Sequence, residues 1–176
     1  MSTFLTAEQE ALAEEIATLL SERGETVAVS EGTAGGLVSA ALLWVAGASR
    51  YYRGGAVLYT LASRVAFAGA SPARYENYRG TTPDMLAEIA EGIRTRLDAT
   101  WCIAETGLAG PTPGRSGTPP GRTTLAVAGP ITRTEVVETG TTDRGENMVL
   151  FTTLALRFLR DALREAPAPA SPPASA

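Results

Sequence analysis

The sequence predicts an α/β fold, a three-layer α/β/α sandwich around a mixed, partly parallel sheet. Three observations predict it. Helix-spaced apolar stripes alternate with short apolar strands over the first two thirds of the chain. Glycine-rich turns lead from strand ends into helices, as parallel strands joined by crossover helices require. Two later strands are separated only by Gly129-Pro130, which reads as an antiparallel hairpin.

Thr6 with Gln9 three residues on is a capping box, and Leu12, Ile16, Leu19 and Leu20 continue a helix to about Arg23, stopped by Gly24. Thr26–Ser30 is the first strand. Gly35-Gly36 then opens an apolar helix, Leu37–Val45. Gly47–Arg53 is a loop, Ala56–Tyr59 the second strand, and Thr60 caps a short helix, Leu61–Ala68. Pro72 suits a first helical position. Thr82 precedes a helix, Pro83–Leu97, with Leu86, Ile89, Ile93 and Leu97 on its buried face. Thr100–Glu105 is the third strand, and a loop rich in Gly, Pro and Thr runs on to Arg122. That length favours a functional or a disordered loop. Thr123–Ala128 and Thr132–Glu138 form the hairpin. Thr141-Thr142-Asp143 caps a last helix, Arg144–Arg164. The chain reads as one domain over 1–165, followed by a Pro/Ala/Ser tail, 166–176, expected to be disordered.

Composition excludes several chemistries. Net charge is −4 and no basic stripe is visible, which argues against nucleic acid. No apolar run suits a membrane span, and the first residues lack a signal-peptide pattern, so a cytoplasmic protein is expected. The single Cys102 lies in an apolar run and reads as a buried, inert thiol. There is no histidine, and all 15 basic residues are arginine. A Ser-His-Asp triad, a Ser-Lys dyad and a lysine Schiff base are therefore excluded, and a metal site is unpromising. No cofactor is expected. Without His or Lys, general-base chemistry falls to Asp, Glu, a Tyr phenol or a chain terminus.

Ligands in such folds sit beyond the carboxyl ends of the parallel strands. Three polar strand ends meet there: Ser30–Gly36, Tyr59–Arg64 and Thr106–Pro111. The first turn aims backbone N–H groups at one point, which favours an anion or a developing oxyanion. The alternative is a tight turn that needs glycine for steric reasons. Trp44 and Trp101 read as core, Tyr51 and Tyr52 as pocket mouth or dimer contact, and Arg94–Asp98 as a solvated helix end. Arg144 sits at a helix start, against the dipole, which suits an anion-binding role.

From about Glu8 to Arg164 the chain resembles the CinA C-terminal domain family, the competence/damage-inducible proteins that include nicotinamide mononucleotide deamidases. The residues that carry the likeness are Glu31-Gly32-Thr33-Ala34-Gly35-Gly36, the run Arg53-Gly54-Gly55 to Tyr59-Thr60, Thr106-Gly107-Leu108-Ala109-Gly110-Pro111, and Thr142-Asp143-Arg144. The resemblance implies an α/β/α sandwich, a homodimer, and hydrolysis of the carboxamide of nicotinamide mononucleotide to nicotinate mononucleotide and ammonia. In the family the proposed nucleophile is a serine and the proposed base a lysine. Here Gly32 and Arg64 stand at those positions, and Ala34 replaces a threonine.

Two readings stay open. In the first, the chain is an amidohydrolase with a rearranged site: Thr33 as nucleophile, or water, with Glu31 or Tyr59 as base. In the second, it is a nucleotide-binding or interaction module that has lost catalysis. In both, Ser30, Gly32, Gly35, Gly36, Thr60, Arg64, Thr106, Gly107, Ala109, Gly110 and Arg144 are the candidate ligand contacts, and the ligand is a small nucleotide. Thr33 has a competing role as a helix N-cap. A dinucleotide-dependent dehydrogenase fits less well, because the first turn lacks G-x-G-x-x-G spacing.

Overall fold

The computed structural model describes residues 4–167. Helix α1 (Ala7–Arg23) opens on the capping box: Thr6 Oγ1 accepts the Gln9 N–H at 3.2 Å, and the Gln9 side chain accepts the Thr6 N–H at 3.1 Å. Gly24 ends the helix at φ 62°, a left-handed turn that glycine adopts freely. Strand β1 (Val27–Glu31) starts one residue later than expected. Thr26 instead pairs with Thr100, each N–H donating to the other's hydroxyl at 3.0–3.1 Å.

Helix α2 (Leu37–Trp44) follows the glycine turn, and strand β2 (Tyr52–Val57) follows a short 3-10 turn. The expected strand Ala56–Tyr59 is misplaced. Gly54 and Gly55 belong to the strand, and Leu58 and Tyr59 lie beyond it. A Cβ on Gly55 would lie 3.0 Å from the Val29 carbonyl oxygen and 2.8 Å from the Tyr52 hydroxyl. Glycine here permits close approach within the sheet rather than breaking it.

Thr60 caps α3 (Leu61–Ser63), a single turn that continues as a π-helical turn, Arg64–Ala68. Helix α4 (Pro83–Arg96) starts at the Thr82 cap. Strand β3 (Trp101–Leu108) runs past its expected end, because Thr106, Gly107 and Leu108 pair with Thr124, Thr123 and Arg122 of β4 (Arg122–Ala128). Strand β5 (Arg133–Glu138) completes the hairpin, and α5 (Arg144–Glu165) starts at Asp143, whose carboxylate accepts the Glu146 N–H at 2.7 Å.

The sheet order is β2-β1-β3-β4-β5. β1 is parallel to β2 and β3, and β3, β4 and β5 are antiparallel in sequence. Side chains alternate between faces. Val27, Val29, Trp101, Ile103, Leu125 and Val127 share one core with α1, α2 and α5. Ala28, Cys102, Ala104, Ala126 and Ala128 form the other with Leu86, Ile89 and Ile93 of α4. The small residues on that face let α4 lie close to the sheet. Burying each Leu or Ile contributes roughly 1.5–3 kcal/mol. The α/β/α sandwich with a mixed sheet is therefore the observed architecture.

Trp101 is fully buried and donates its indole N–H to Glu25 at 2.8 Å. Tyr51 is also core, its hydroxyl donating to the Leu42 carbonyl at 2.6 Å, which corrects its assignment to a pocket mouth or dimer contact. Cys102 is buried, and burial pushes its thiol far above the ordinary value. Ala166 is buried and the Pro167 carbonyl accepts from Arg23 at 2.8 Å, so the last helix is followed by anchored chain. The rest of the predicted tail, 168–176, lies outside the described residues. Among the described residues no helix is long and apolar enough to cross a membrane, and no group of three or more Cys, Asp or Glu side chains could hold a metal.

Candidate functional site

The carboxyl ends of β1 and β3 open into a cleft of about 820 Å³, within the range of roughly 300–1,000 Å³ common for small-molecule sites. The three polar segments expected to converge do meet here. Gly32, Thr33, Tyr59, Thr60, Arg64, Thr106, Gly107, Ala109, Gly110 and Arg144 all line it. Ser30, Glu31, Gly35 and Gly36 do not.

Glu31 is corrected most plainly. It is 1% exposed, and its carboxylate accepts the N–H groups of Gly36, Val38 and Ser39 at 2.8–3.0 Å and the Ser39 hydroxyl at 2.6 Å. It thus caps α2, whose N-cap Gly36 has no side chain to do so. Four donors leave it no approach to a substrate proton. Ser30 is buried within β1, between Ala56 and Ala104 in register. Gly35 and Gly36 turn the chain at φ 68° and 104°, so their role is conformational.

Glu105 is a further residue beside the candidate site, outside those read from the sequence. It lies within buried β3, 1% exposed, beneath the glycine turn. Its carboxylate accepts the N–H groups of Thr33 at 3.0 Å and Ala34 at 2.8 Å, with a longer contact to Gly32 at 3.4 Å. The hydroxyls of Thr33 at 2.5 Å and Thr123 at 2.9 Å also donate to it. Burial pushes its carboxyl above the ordinary range, and these donors oppose that rise. The signal was present: a carboxylate inside Trp-Cys-Ile-Ala-Glu-Thr is costly unless several donors satisfy it. Glu105 and Glu31 together also correct the open anion site expected at the turn. The anions that its N–H groups hold are the chain's own carboxylates.

Thr33 is not the N-cap of α2, because its hydroxyl serves Glu105. It still lines the cleft. Tyr59 stands at the mouth, 61% exposed. Thr60 caps α3, its Oγ1 accepting from Ser63 N at 3.1 Å. Gly107 is needed where β3 crosses β4, since a Cβ there would lie 2.5 Å from the Arg122 carbonyl oxygen. Gly110 sits at φ 104°, and its carbonyl accepts from Arg144 at 3.1 Å. Ala109 is held by Asn147, a buried residue of α5.

Arg64 dominates the floor. It is 5% exposed, and its hydrogen-bond partners among the described residues include Leu58 O at 3.4 Å, Tyr78 Oη at 3.4 Å, Thr81 Oγ1 at 2.7 Å and Thr106 Oγ1 at 3.0 Å, with the Tyr75 phenol also bonded to it and no carboxylate paired with it there. The Tyr78 ring lies 5.9 Å from its guanidinium carbon. Buried arginines are ordinarily paired with a carboxylate. Among the described residues, those lining the cleft include four further arginines, Arg79, Arg115, Arg122 and Arg144, and no Asp or Glu. Of these, Arg122 pairs with Glu138 at 3.1 Å outside the lining. The segment Tyr78–Thr82 and the long loop after Pro111, with Arg115, form two of the walls. Gly32 faces Thr106: a Cβ on Gly32 would lie 2.6 Å from Thr106 Oγ1 and 3.0 Å from its Cβ.

A family model described as the CinA C-terminal domain matches residues 9–163. A CinA-like protein of Prochlorococcus marinus is 40% identical over 124 residues, covering 70% of this chain and 29% of that protein. A CinA-like protein of Desulfosudis oleivorans is 35% identical over 151 residues, covering 85% of this chain and 37% of that protein. The chain therefore spans about a third of the length of the curated relatives it matches. Among solved structures, the competence/damage inducible protein CihA of Agrobacterium tumefaciens superposes with a TM-score of 0.84 at 28% identity, covering 94% of this chain and 100% of that one. A competence or damage-inducible protein of Enterobacter asburiae gives 0.83 at 25%, covering 88% and 98%.

Proposed function

The chain belongs to the CinA C-terminal domain family, and from that premise we propose that its cleft binds a pyridine mononucleotide without hydrolysing it. The observation that carries the binding half is the charge of the cleft: among the described residues five arginines and no carboxylate line it, in a chain of net charge −4. A phosphorylated ligand supplies the missing anion, and guanidinium groups grip phosphate bidentately. The catalytic half rests on what lines the same walls. Gly32 offers no nucleophile, Arg64 accepts no proton, and Glu31 is spent on α2. The homodimer implied by the resemblance belongs to the same proposal, and the mass in solution tests it.

One observation favours hydrolysis as a second reading. Thr33 lines the cleft and its Oγ1 is 2.5 Å from Glu105, a hydroxyl and a carboxylate within proton-transfer reach. In that chemistry Thr33 oxygen attacks the carboxamide carbon and its proton passes to Glu105. The C–N bond breaks, that proton leaves with ammonia, and water cleaves the Thr33 ester. Against it, Glu105 already accepts from the whole turn and does not itself line the cleft.

Titration of the protein with nicotinamide mononucleotide at low and high salt tests the binding half. The expected result is saturable binding that weakens with salt. Absence of binding at low salt refutes it. Thr33→Val separates the two readings: it abolishes ammonia release in the second and leaves binding intact in the first.

A further inference from the structure

Positive charge occupies two separate levels of the cleft. Arg64 is buried at the floor, whereas Arg79, Arg115, Arg122 and Arg144 are exposed around it. One small anion would answer only one level. The floor is also selective in hydrogen bonding. Arg64 offers donors only. Thr106 Oγ1 accepts from Arg64, so its own proton is left to donate, and no acceptor for it is found among the described residues. Thr106 is 8% exposed, and the neighbouring Gly32 adds no side chain over it. Two donors therefore converge beside a buried cation.

We propose that the ligand carries two anionic groups, a carboxylate seated against Arg64 and Thr106 at the floor and a phosphate among the exposed arginines. The consequence is a preference for a pyridine nucleotide bearing a ring carboxylate over the same nucleotide bearing a carboxamide. The proposal rests on the pyridine-nucleotide reading above. Four of the five Arg64 N–H groups already have partners, so one carboxylate oxygen meets the remaining Nη2 hydrogen and the other meets the Thr106 proton. A carboxamide presents one acceptor and one N–H2 group, and the latter turned toward Arg64 or the Thr106 proton leaves donors facing donors. The phosphate, larger and more strongly hydrated, belongs where the arginines remain in contact with water and desolvation costs less.

The test is calorimetric titration of the full chain with nicotinate mononucleotide and, separately, nicotinamide mononucleotide, at one ionic strength. The carboxylate form should bind about tenfold or more tightly. Arg64→Gln should remove that preference, and Thr106→Val should reduce it. The second variant keeps Arg64 in place should the first fail to fold, and circular dichroism confirms the fold of each. Equal affinity for the two nucleotides, or tighter binding of the carboxamide, overturns this inference and leaves the nucleotide reading standing. A carboxylate preference that persists in folded Arg64→Gln, or that is undiminished in Thr106→Val, also overturns it. Failure of both nucleotides to bind overturns both proposals.

Discussion

Gly32→Ser places here the serine that the family resemblance implies, and the structure sets its consequence. The new Cβ would lie 2.6 Å from Thr106 Oγ1, where ordinary contact begins at 3.4 Å, and 3.2 Å from the Glu105 carbonyl oxygen. Something must yield by roughly 0.8 Å, the gap between those contacts, in packing that tolerates little overfilling. Backbone is costly to move, so Thr106 is the group to give. Its hydroxyl, however, is one of the few partners of buried Arg64, at 3.0 Å. Overpacking costs about 1–3 kcal/mol. Loss of a hydrogen bond to a charged group costs a similar amount, about 1.5–3 kcal/mol. Gly32→Ser should therefore destabilise by about 1–3 kcal/mol, which lowers the melting temperature by roughly 2–4 °C per kcal/mol in a chain of this length. Thr106→Ala alone should also destabilise, because it removes a partner of Arg64. Combined, the two should be less harmful than their sum, since the serine enters the vacated space and its hydroxyl can replace the lost one. Urea unfolding of the four proteins measures the coupling. A Gly32→Ser protein as stable as the parent, or strictly additive effects, would refute the claim that Gly32, Thr106 and Arg64 form one packed unit.

Glu31→Gln should destabilise by about 1–3 kcal/mol, because an amide turns donors toward the N–H groups at the start of α2. It should leave ligand affinity unchanged, since Glu31 does not line the cleft; a selective loss of affinity in calorimetry would contradict this placement. Burial raises the Glu105 carboxyl above the ordinary value of 4.5, so the folded state holds that proton to higher pH than the unfolded one. Its contribution is fully present below about 4.5 and is lost as pH rises through the raised folded value. Urea midpoints across that window should fall for the parent relative to Glu105→Gln, and parallel pH profiles would contradict the direction. Arg79→Ala with Arg144→Ala should weaken nucleotide binding and flatten its salt dependence, as removal of two exposed cations requires. An unchanged salt slope would place the phosphate elsewhere.

Much of this was legible in the sequence for local reasons. The Thr6 capping box, Gly24 and the stripe Leu12, Ile16, Leu20 specify α1 within a few residues of one another, and the structure buries that stripe. The convergence of three strand ends followed from topology alone. The errors arose where distant contacts override local preference. Gly54-Gly55 looks like a break, but the closeness of Val29 and Tyr52 makes these glycines part of β2. Thr106-Gly107 looks like a turn, yet pairing with β4 keeps it in β3. Glu31 was read as a base because no single sequence shows that four donors from α2 close on it. Glu105 was passed over because its partners come from the first turn and from β4, far along the chain. Arg64 stands out in the sequence only by its place after Tyr59-Thr60, whereas its burial without a carboxylate among the described residues depends on Tyr78, Thr81 and Thr106 folding around it.

Binding without turnover is tested by ammonia release from purified protein at saturating nicotinamide mononucleotide, with occupancy measured in the same sample. The expected result is an occupied site and no ammonia above the protein-free control. Ammonia that rises with time and protein concentration, and disappears in Thr33→Val, would contradict it and establish Thr33 with Glu105 as the working pair.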